Sequence, residues 1–270
     1  MLIWLPPSEG KNAPESGPCL SLESLSRPSL TAARRAVADA LVALGSGPQA
    51  AATLKVGARI DLSVNEVLDT APCAPASSLF TGVLFEAIEA VAPGAWQCSG
   101  ATSVSVFSGL FGVLSPADLI PDHRLAMGVS LPGFGVLSTW WAPRLDEALH
   151  EDASGQVVID ARSGPYRAAC KAPWARVWEL RVVREADGTR SVISHDAKRW
   201  RGAMTGTLLA SGGYAAGETA ECEQALTDAA HAVTLHDARG AEHRVIDVEF
   251  GPEMGTKQGG ARRALTLVTN

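Results

Sequence analysis

The amino-terminal residues define a strand and the point where it ends. Residues 2–5 are continuously apolar, which is typical of a short buried strand. Pro6 and Pro7 then force a turn, because proline fixes φ and lacks an amide donor. Gly10 and Lys11 follow, and a lysine beyond a glycine turn at the carboxyl end of a strand often meets an anion. The alternative is an ordinary turn with an exposed lysine, since the first glycine and the Ser or Thr of a phosphate-binding P-loop are missing.

Helix and strand patterns are mixed along the rest of the chain. Helical patterns cover 32–44, 50–56, 80–91, 137–149, 196–209 and 220–231. Strand patterns cover 97–107, 157–160, 178–184, 191–194, 233–236, 244–250 and 265–268, with hairpin turns at 187–188 and 238–240. Neither a repeat nor a clear linker interrupts this series. We therefore predict an α/β (mixed α+β) fold, a single compact domain over 1–270 with a central mixed sheet flanked by helices.

The composition restricts the class of protein. Of the 270 residues, 46% are hydrophobic and 19% are charged, which is ordinary for a globular protein with a sizeable core. The net charge is -6, and proteins that coat nucleic acid are usually basic, so DNA binding would need a local basic patch. The five cysteines are odd in number and widely spaced, and no CxxC pair occurs. This spacing argues against a disulfide framework and against a zinc ribbon.

The hydropathy pattern predicts a cytoplasmic location. No apolar run approaches the ~18 residues that a membrane-spanning helix needs. The apolar start lacks the basic region and the cleavage site of a signal peptide. Free thiols also suit a reducing compartment. We expect no membrane partner.

A glycine-punctuated segment follows the strand predicted at 97–107. It contains Ser108, Gly109 and Gly112, and two glycines three residues apart allow a close approach of the backbone. Asp118 and Arg124 come next. The segment is a candidate binding loop. The alternative is a tight packing turn in which Arg124 holds Asp118 as an ion pair.

The string Leu131-Pro-Gly-Phe-Gly135 is similar to the hairpin of a helix-hairpin-helix DNA-binding element. In such an element, glycine amides and the start of the next helix hold a backbone phosphate, which makes Gly133 and Gly135 candidates. The segment after the string is predicted to be helical, whereas the segment before it is interrupted by Pro121 and Gly128. A plain loop before a core helix is the alternative.

A basic helix start at 196–202 is the fourth candidate. Lys198 and Arg201 lie three residues apart and share a helix face, as do His195 and Arg199. Together with Trp200, these cations could follow a phosphate backbone and stack on a base. The alternative is a solvated basic helix end.

The remaining polar residues give weaker signals. His231 and His236 are the nearest approach to a ligand pair, and they lie five apart across a predicted helix-to-strand boundary. No GxSxG nucleophile motif occurs. We therefore predict no metal and no other cofactor. Tyr166 and Tyr214 follow turns rich in small residues, which suits a pocket rim as well as simple loop packing.

Taken in order, these segments form one pattern. It consists of Leu5-Pro-Pro-Ser-Glu-Gly-Lys11, Thr81-Gly-Val83, Ser108-Gly-Leu-Phe-Gly-Val-Leu114, Pro116, Asp118, Ile120-Pro121, Arg124-Leu125, Met127-Gly128, Trp140 or Trp141, Tyr166, Ala197-Lys198, Arg201-Gly202 and Met204. The pattern resembles the YaaA family of peroxide stress proteins over nearly the whole chain, and 108–128 is its most specific part. Many members have Ser-Pro-Ala-Lys near the amino terminus, whereas the Pro-Pro-Ser-Glu-Gly-Lys form found here is typical of actinobacterial-type members.

The resemblance implies a cytoplasmic protein of the hydrogen peroxide stress response that limits peroxide- and iron-dependent damage. It also implies a compact α/β fold, a helix-hairpin-helix-like element and DNA binding. We expect the matching residues to form a cationic cleft that faces phosphate or carboxylate groups. The candidate anion- or DNA-binding residues are Lys11, Ser108, Gly109, Gly112, Asp118, Arg124, Gly133, Gly135, Lys198 and Arg201.

Two functions are the main candidates at this point, and a third, an iron-handling or partner-binding protein without catalysis, is disfavoured because Cys and His ligand clusters are missing. The first is a protein that binds DNA through the hairpin-like string and the basic helix. The second is an enzyme that acts on a small anionic or nucleotide-like substrate. In the enzyme, four cations would neutralise charge, and Asp118 or Tyr166 would transfer a proton; the cations are Lys11, Arg124, Lys198 and Arg201.

Overall fold

The structure is a computed structural model and describes residues 1–57, 59–97, 102–192, 196–211, 219–237 and 239–270. Eight α-helices lie within these residues: α1 Thr31–Leu44, α2 Pro48–Leu54, α3 Ala76–Leu79, α4 Val83–Val91, α5 Leu137–Ala153, α6 Gly164–Ala168, α7 Asp196–Ala210 and α8 Thr219–His231. The strands are β1 Leu2–Leu5, β2 Cys73–Pro75, β3 Ser103–Ser108, β4 Gly112–Leu114, β5 Leu119–Pro121, β6 Ser130–Leu131, β7 Gly135–Val136, β8 Val157–Asp160, β9 Arg176–Ala186, β10 Thr189–Val192, β11 Thr234–His236, β12 Glu242–Phe250, β13 Met254–Gly255 and β14 Ala261–Thr269.

Ten strands form one mixed sheet in the order β11-β12-β14-β9-β8-β1-β3-β4, with β10 beside β9 and β13 beside β14. The strands from β14 to β3 run parallel, and the remaining pairs of this sheet are antiparallel. The mixed α/β class and the central mixed sheet are therefore confirmed.

Strand β1 lies between two parallel neighbours. Its Leu2 is opposite Val158 on one side and Ser103 on the other. A strand enclosed in this way must be apolar on both faces, and Ile3, Trp4 and Leu5 are fully buried. The continuous apolar run that opens the chain is thus explained.

The connections around β1 leave the sheet in opposite directions. The chain from β1 returns, through α1 to α4, to β3 on one side of β1. The chain from β8 passes through α6 to β9 on the other side. In an open α/β sheet, the crevice beyond the carboxyl ends of two such strands is the usual place for a ligand. The ends of β1 and β8 form that crevice here.

Helix α7 packs against α4 through glycine. A Cβ atom on Gly202 would lie 2.1 Å from the backbone oxygen of Leu84, so no side chain fits there. Gly206 approaches Ile88 in the same way one turn later. This close contact sets the distance between the two helices and therefore the position of the amino-terminal end of α4 relative to Arg201.

Several predicted elements differ from the observed ones. The strand predicted at 97–107 begins at Ser103, and 98–101 lie outside the described residues. The helix-hairpin-helix element is not confirmed, because 119–131 holds β5 and β6 and no helix. The string that contains Gly133 and Gly135 is instead the turn of the short β6–β7 hairpin, directly before α5. Among the helices described here, none is long and apolar enough to cross a membrane.

Candidate active site

A cavity of about 670 Å³ opens at the carboxyl ends of β1, β3 and β8. Its walls come from six separate parts of the chain: the turn after β1, residues 54–57 and 59–60 (called the 54–60 loop), Phe80, the end of β3, the 123–126 loop and helix α6. We call it the Lys11 cavity. Its position agrees with the crevice that the strand connections define.

Lys11 projects into the cavity from the turn after β1. Its Nζ donates a hydrogen bond to the Ser8 carbonyl at 3.2 Å and lies 5.5 Å from the centre of the Phe80 ring. No carboxylate of the described residues lies within ion-pair distance of it. Burial, reinforced by the charge of Arg124, lowers the pKa of Lys11 to about 8, although Asp122 and Glu9 act in the opposite direction.

Arg124 is held rigidly in the cavity wall. Its Nη1 pairs with the carboxylate of Asp122 and donates a hydrogen bond to the His123 carbonyl at 3.0 Å. The Asn65 side chain fixes its backbone, accepting from the Arg124 amide at 2.7 Å and donating to its carbonyl at 3.1 Å. The ion pair between Arg124 and Asp118, which the alternative interpretation of this segment included, is therefore wrong.

His123 is buried between two aromatic rings, with Phe111 at 5.2 Å and Phe80 at 6.2 Å between ring centres. Its Nδ1 lies 2.9 Å from the Pro121 carbonyl, which can only accept, so Nδ1 carries the hydrogen and Nε2 has a lone pair. Burial, and then the charge of Lys11, lowers the pKa of His123 well below its usual value. The ring is thus a neutral base in the cavity wall.

Two hydroxyl groups complete the polar lining. Ser108 ends β3, and its Oγ accepts hydrogen bonds at 3.2 Å from the amides of Leu110 and Phe111. No described residue accepts the Ser108 hydroxyl proton, which can therefore be donated to a ligand. Burial raises the pKa of Tyr166 to about 12, so its hydroxyl is a neutral donor.

The charged residues of the lining are mostly basic. Among the described residues that line the cavity, the cations are Lys11, Lys55, Arg59 and Arg124, and the only carboxylate is Glu9. The rest of the wall includes apolar side chains from Leu54, Val56, Ile60, Phe80 and Leu125. Such a surface can neutralise a phosphate or carboxylate and cover a flat apolar group.

The structure brings three of the ten candidate binding residues together, Lys11, Ser108 and Arg124, and Tyr166, a candidate for proton transfer, lines the same cavity. Gly109 and Gly112 shape the turn below them. A Cβ atom on Gly109 would lie 2.5 Å from the Leu125 carbonyl, and Gly112 has a φ of +71° against Trp141. These two glycines support the lining and do not belong to it.

Asp118 has a structural place apart from the cavity. Its carboxylate accepts from the amide of Ser26 at 2.8 Å, from the hydroxyl of Ser26 at 2.6 Å and from the amide of Ser115 at 2.9 Å. These bonds tie the loop before α1 to the loop after β4. The proton-transfer role predicted for Asp118 is not supported by this position.

Lys198 and Arg201 of α7 and the hairpin glycines also lie outside the lining. Lys198 is exposed. Arg201 is partly buried; burial and then the charge of Arg167 lower its pKa, whereas Asp160 raises it. The Nε of Arg201 has no partner among the described residues. Gly133 and Gly135 have φ values of +80° and +68°, and no heavy atom lies within 4 Å of a Cβ built on either glycine.

A buried ion pair supports the cavity from the β8 side. Arg162 binds both carboxylate oxygens of Asp160, at 2.8 and 3.0 Å, and its guanidinium lies 4.0 Å from the Phe107 ring centre. Burial alone would raise the pKa of Asp160, but Arg162 and Arg167 outweigh it and hold that pKa below its usual value. The pair fixes the loop that leads from β8 to Tyr166.

Sequence reasoning missed His123 and the 54–60 loop. A single histidine without a ligand partner gives no motif, and its neutral form depends on Phe80, Phe111 and the Pro121 carbonyl meeting in the fold. No cluster of three His, Cys, Asp or Glu side chains that could hold a metal occurs among the described residues. His195, Tyr214 and Cys98 lie outside those residues.

Comparison with known proteins gives a consistent result. The family model described as "Peroxide stress protein YaaA" matches residues 1–219. A UPF0246 protein of Streptomyces coelicolor is 40% identical over 257 residues, which is 92% of this chain and 98% of the relative. UPF0246 proteins of Corynebacterium efficiens and Corynebacterium glutamicum are each 36% identical, over 82% and 78% of this chain and 91% and 86% of their own lengths. The resemblance stated from the motifs, including its actinobacterial type, is confirmed, and the chain belongs to the peroxide stress protein YaaA family.

Proposed function

We propose that the protein contributes to the peroxide stress response as an enzyme that acts on a small anionic, nucleotide-like substrate in the Lys11 cavity. The observation that carries this proposal is the composition of the cavity wall. It combines fixed cations, a neutral histidine base, two hydroxyl donors and apolar side chains in one concave space. The role in peroxide stress is inferred from the family to which the chain belongs. The class of substrate is inferred from the residues that line the cavity.

The size of the cavity favours a small molecule over a duplex. A volume of about 670 Å³ lies inside the ~300–1,000 Å³ that is usual for small-molecule sites. A B-form duplex would need a broad surface instead. Phosphate or carboxylate would meet Arg124, whose guanidinium geometry suits bidentate contact with either group. The Phe80 ring and neighbouring aliphatic side chains would cover a base or another flat ring.

Isothermal titration with adenosine and guanosine monophosphates tests the proposal. We expect Arg124→Gln to weaken binding at least ~10-fold, because a charge-assisted hydrogen bond contributes ~1.5–3 kcal/mol. The matched control is Arg35→Gln, since Arg35, on α1, forms an exposed ion pair with Asp69 and does not line the cavity. Equal affinities for the two variants and the wild type would refute the proposal.

DNA binding is the second candidate, and two features favour it. Lys55 and Arg59, at the edge of the cavity, are exposed. The hairpin that contains Gly133 and Gly135 presents open backbone next to the start of α5. Fluorescence anisotropy with labelled duplex, bubble and single-stranded DNA at two salt concentrations tests this function. If DNA binds through α7, the double variant Lys198→Ala/Arg201→Ala should lose the salt-sensitive rise in anisotropy that the wild type shows. If the double variant binds DNA as the wild type does, α7 is not the DNA-binding element.

A further inference from the structure

Among the described residues, the Lys11 amine has a single hydrogen bond and no ion pair, fewer partners than a buried ammonium group usually has. We propose that Lys11 is a nucleophile, and that it forms a reversible imine with an anionic aldehyde or ketone bound in the Lys11 cavity. The inference rests on the proposed function and narrows its substrate class from anions to anionic carbonyl compounds.

The surroundings of Nζ favour the neutral amine. Its one hydrogen bond goes to the Ser8 carbonyl, and no described carboxylate pairs with it. Asp122, which could have done so, is engaged by Arg124, and Glu9 is exposed. A desolvated lysine beside another cation is a recognised arrangement for amine nucleophiles.

The groups around Lys11 shift its pKa in both directions, and the lowering effects are larger. Burial and then Arg124 lower its pKa, while Asp122 and Glu9 raise it, and the result is about 8. A much larger share of the amine is then neutral at pH 7.5 than in an ordinary lysine, whose pKa is ~10.4. Because His123 and Tyr166 are both neutral, neither adds a charge that would oppose this effect.

His123 has one ring nitrogen that can accept a proton. Its Nδ1 hydrogen is committed to the Pro121 carbonyl, so Nε2 is the atom that can accept. No described residue is hydrogen-bonded to Nε2. The ring lines the same cavity as Lys11, and the Lys11 charge acts on its pKa.

The proposed step balances without any other reagent. The Lys11 nitrogen forms a bond to the carbonyl carbon, and the carbonyl π electrons move to oxygen. His123 Nε2 first carries one proton from the nitrogen to the alkoxide, which gives the carbinolamine. It then carries the second nitrogen proton to the carbinolamine hydroxyl, which leaves as water while the nitrogen lone pair forms the C=N bond. The products are the imine and one water molecule, and the reverse reaction releases the ligand.

The presence of lysine and not arginine at position 11 supports the inference. The chain has five lysines, and its 23 basic residues otherwise are arginines. An arginine would bind an anion at least as well as a lysine, but it cannot form an imine because it stays protonated. The small number of lysines also simplifies the experiment.

Reductive trapping tests the inference. The full chain is incubated at pH 7.5 with glyoxylate, an anionic aldehyde small enough for any part of the cavity, and with cyanoborohydride. Peptide mass spectrometry then gives the initial rate of modification at each lysine. We expect Lys11 to react at least ~10-fold faster than Lys55, an exposed lysine at the edge of the same cavity. Lys11→Arg should remove the fast phase.

Two variants separate an imine-forming lysine from a merely accessible one. Arg124→Gln should move the midpoint of the Lys11 rate–pH curve upward, because a cation is removed. His123→Gln should slow the reaction at least ~10-fold and leave the midpoint in place. If Lys11 reacts no faster than Lys55 while nucleoside monophosphates still bind, the inference is wrong and the proposed function stands. If the nucleotides do not bind either, both are wrong.

Discussion

Residues of one type have different roles in this molecule, and their surroundings decide which. Arg124 and Arg162 are both paired with an aspartate two residues earlier in the chain. Arg124 lines the Lys11 cavity, so its charge can act on a ligand there. Arg162 is 1% exposed and donates its hydrogen bonds to Asp160 and to the carbonyls of Tyr166 and Cys170. We therefore expect Arg124 to contribute to ligand binding and Arg162 to contribute to the stability of the fold.

Asp160→Asn should destabilise the fold strongly. The substitution leaves Arg162 as an uncompensated buried cation, and such a change typically costs ~3–5 kcal/mol. Urea unfolding measures the loss. Asp69→Asn is the matched control, because the Arg35–Asp69 pair is exposed and should contribute at most ~1 kcal/mol. Similar losses in the free energy of unfolding for the two variants would show that the buried pair stabilises the fold no more than the exposed pair does.

His123 should make the stability of the protein depend on pH below neutrality. Its pKa is lowered in the folded state, so the unfolded chain takes up the proton first. The contribution of neutral His123 is therefore complete above ~6.5, the unfolded value, and is lost as the pH falls below it toward the folded pKa. Between pH 7 and pH 5, the wild type should lose ~1–2 kcal/mol more than His123→Gln in urea unfolding. If the wild type and His123→Gln lose the same free energy of unfolding between pH 7 and pH 5, the pKa of His123 is not lowered by folding.

At the scale of elements, local patterns predicted the identity of helices and strands better than their ends. Helix α5 was expected to end at 149 and continues to Ala153, and β9 is longer at both ends than 178–184. Pairing with β14 along its whole length explains the longer β9, and a pairing of that kind is not visible in a local pattern. The order β8-β1-β3, which places the cavity, depends on long-range pairing in the same way.

Gly202→Ala tests the contact between α4 and α7. Alanine in a helix would normally gain ~1 kcal/mol over glycine. Here its Cβ would lie 2.1 Å from the Leu84 oxygen, so the two helices must separate, and we expect a net loss of ~2 kcal/mol. Gly255→Ala is the control, since nothing lies within 4 Å of its Cβ and its φ is not positive; its effect should stay within ~0.5 kcal/mol. Thermal and urea unfolding would contradict the packing argument if both variants matched the wild type.

At the scale of the whole molecule, net charge and local charge have opposite signs. The chain carries -6, whereas the described lining of the Lys11 cavity has four cations and one carboxylate. The sequence could predict that any anion site would be local, and it supplied Lys11, Ser108 and Arg124. It could not supply the 54–60 loop or His123, because the fold alone brings them to the end of β1.

This contrast predicts different salt responses for different ligands. Duplex DNA must approach an acidic surface and can engage few cations, so its binding should be weak and should fall further between 50 and 200 mM salt, roughly 0.9 log units per log unit of salt for each phosphate contacted. A nucleoside monophosphate inside the cavity is screened less, because its ion contacts are partly buried. We expect its affinity to change by less than ~3-fold over the same range, as measured by isothermal titration, with anisotropy used for the duplex. Tight duplex binding at 200 mM salt would contradict this prediction, because it would require an extended basic surface beyond the cavity.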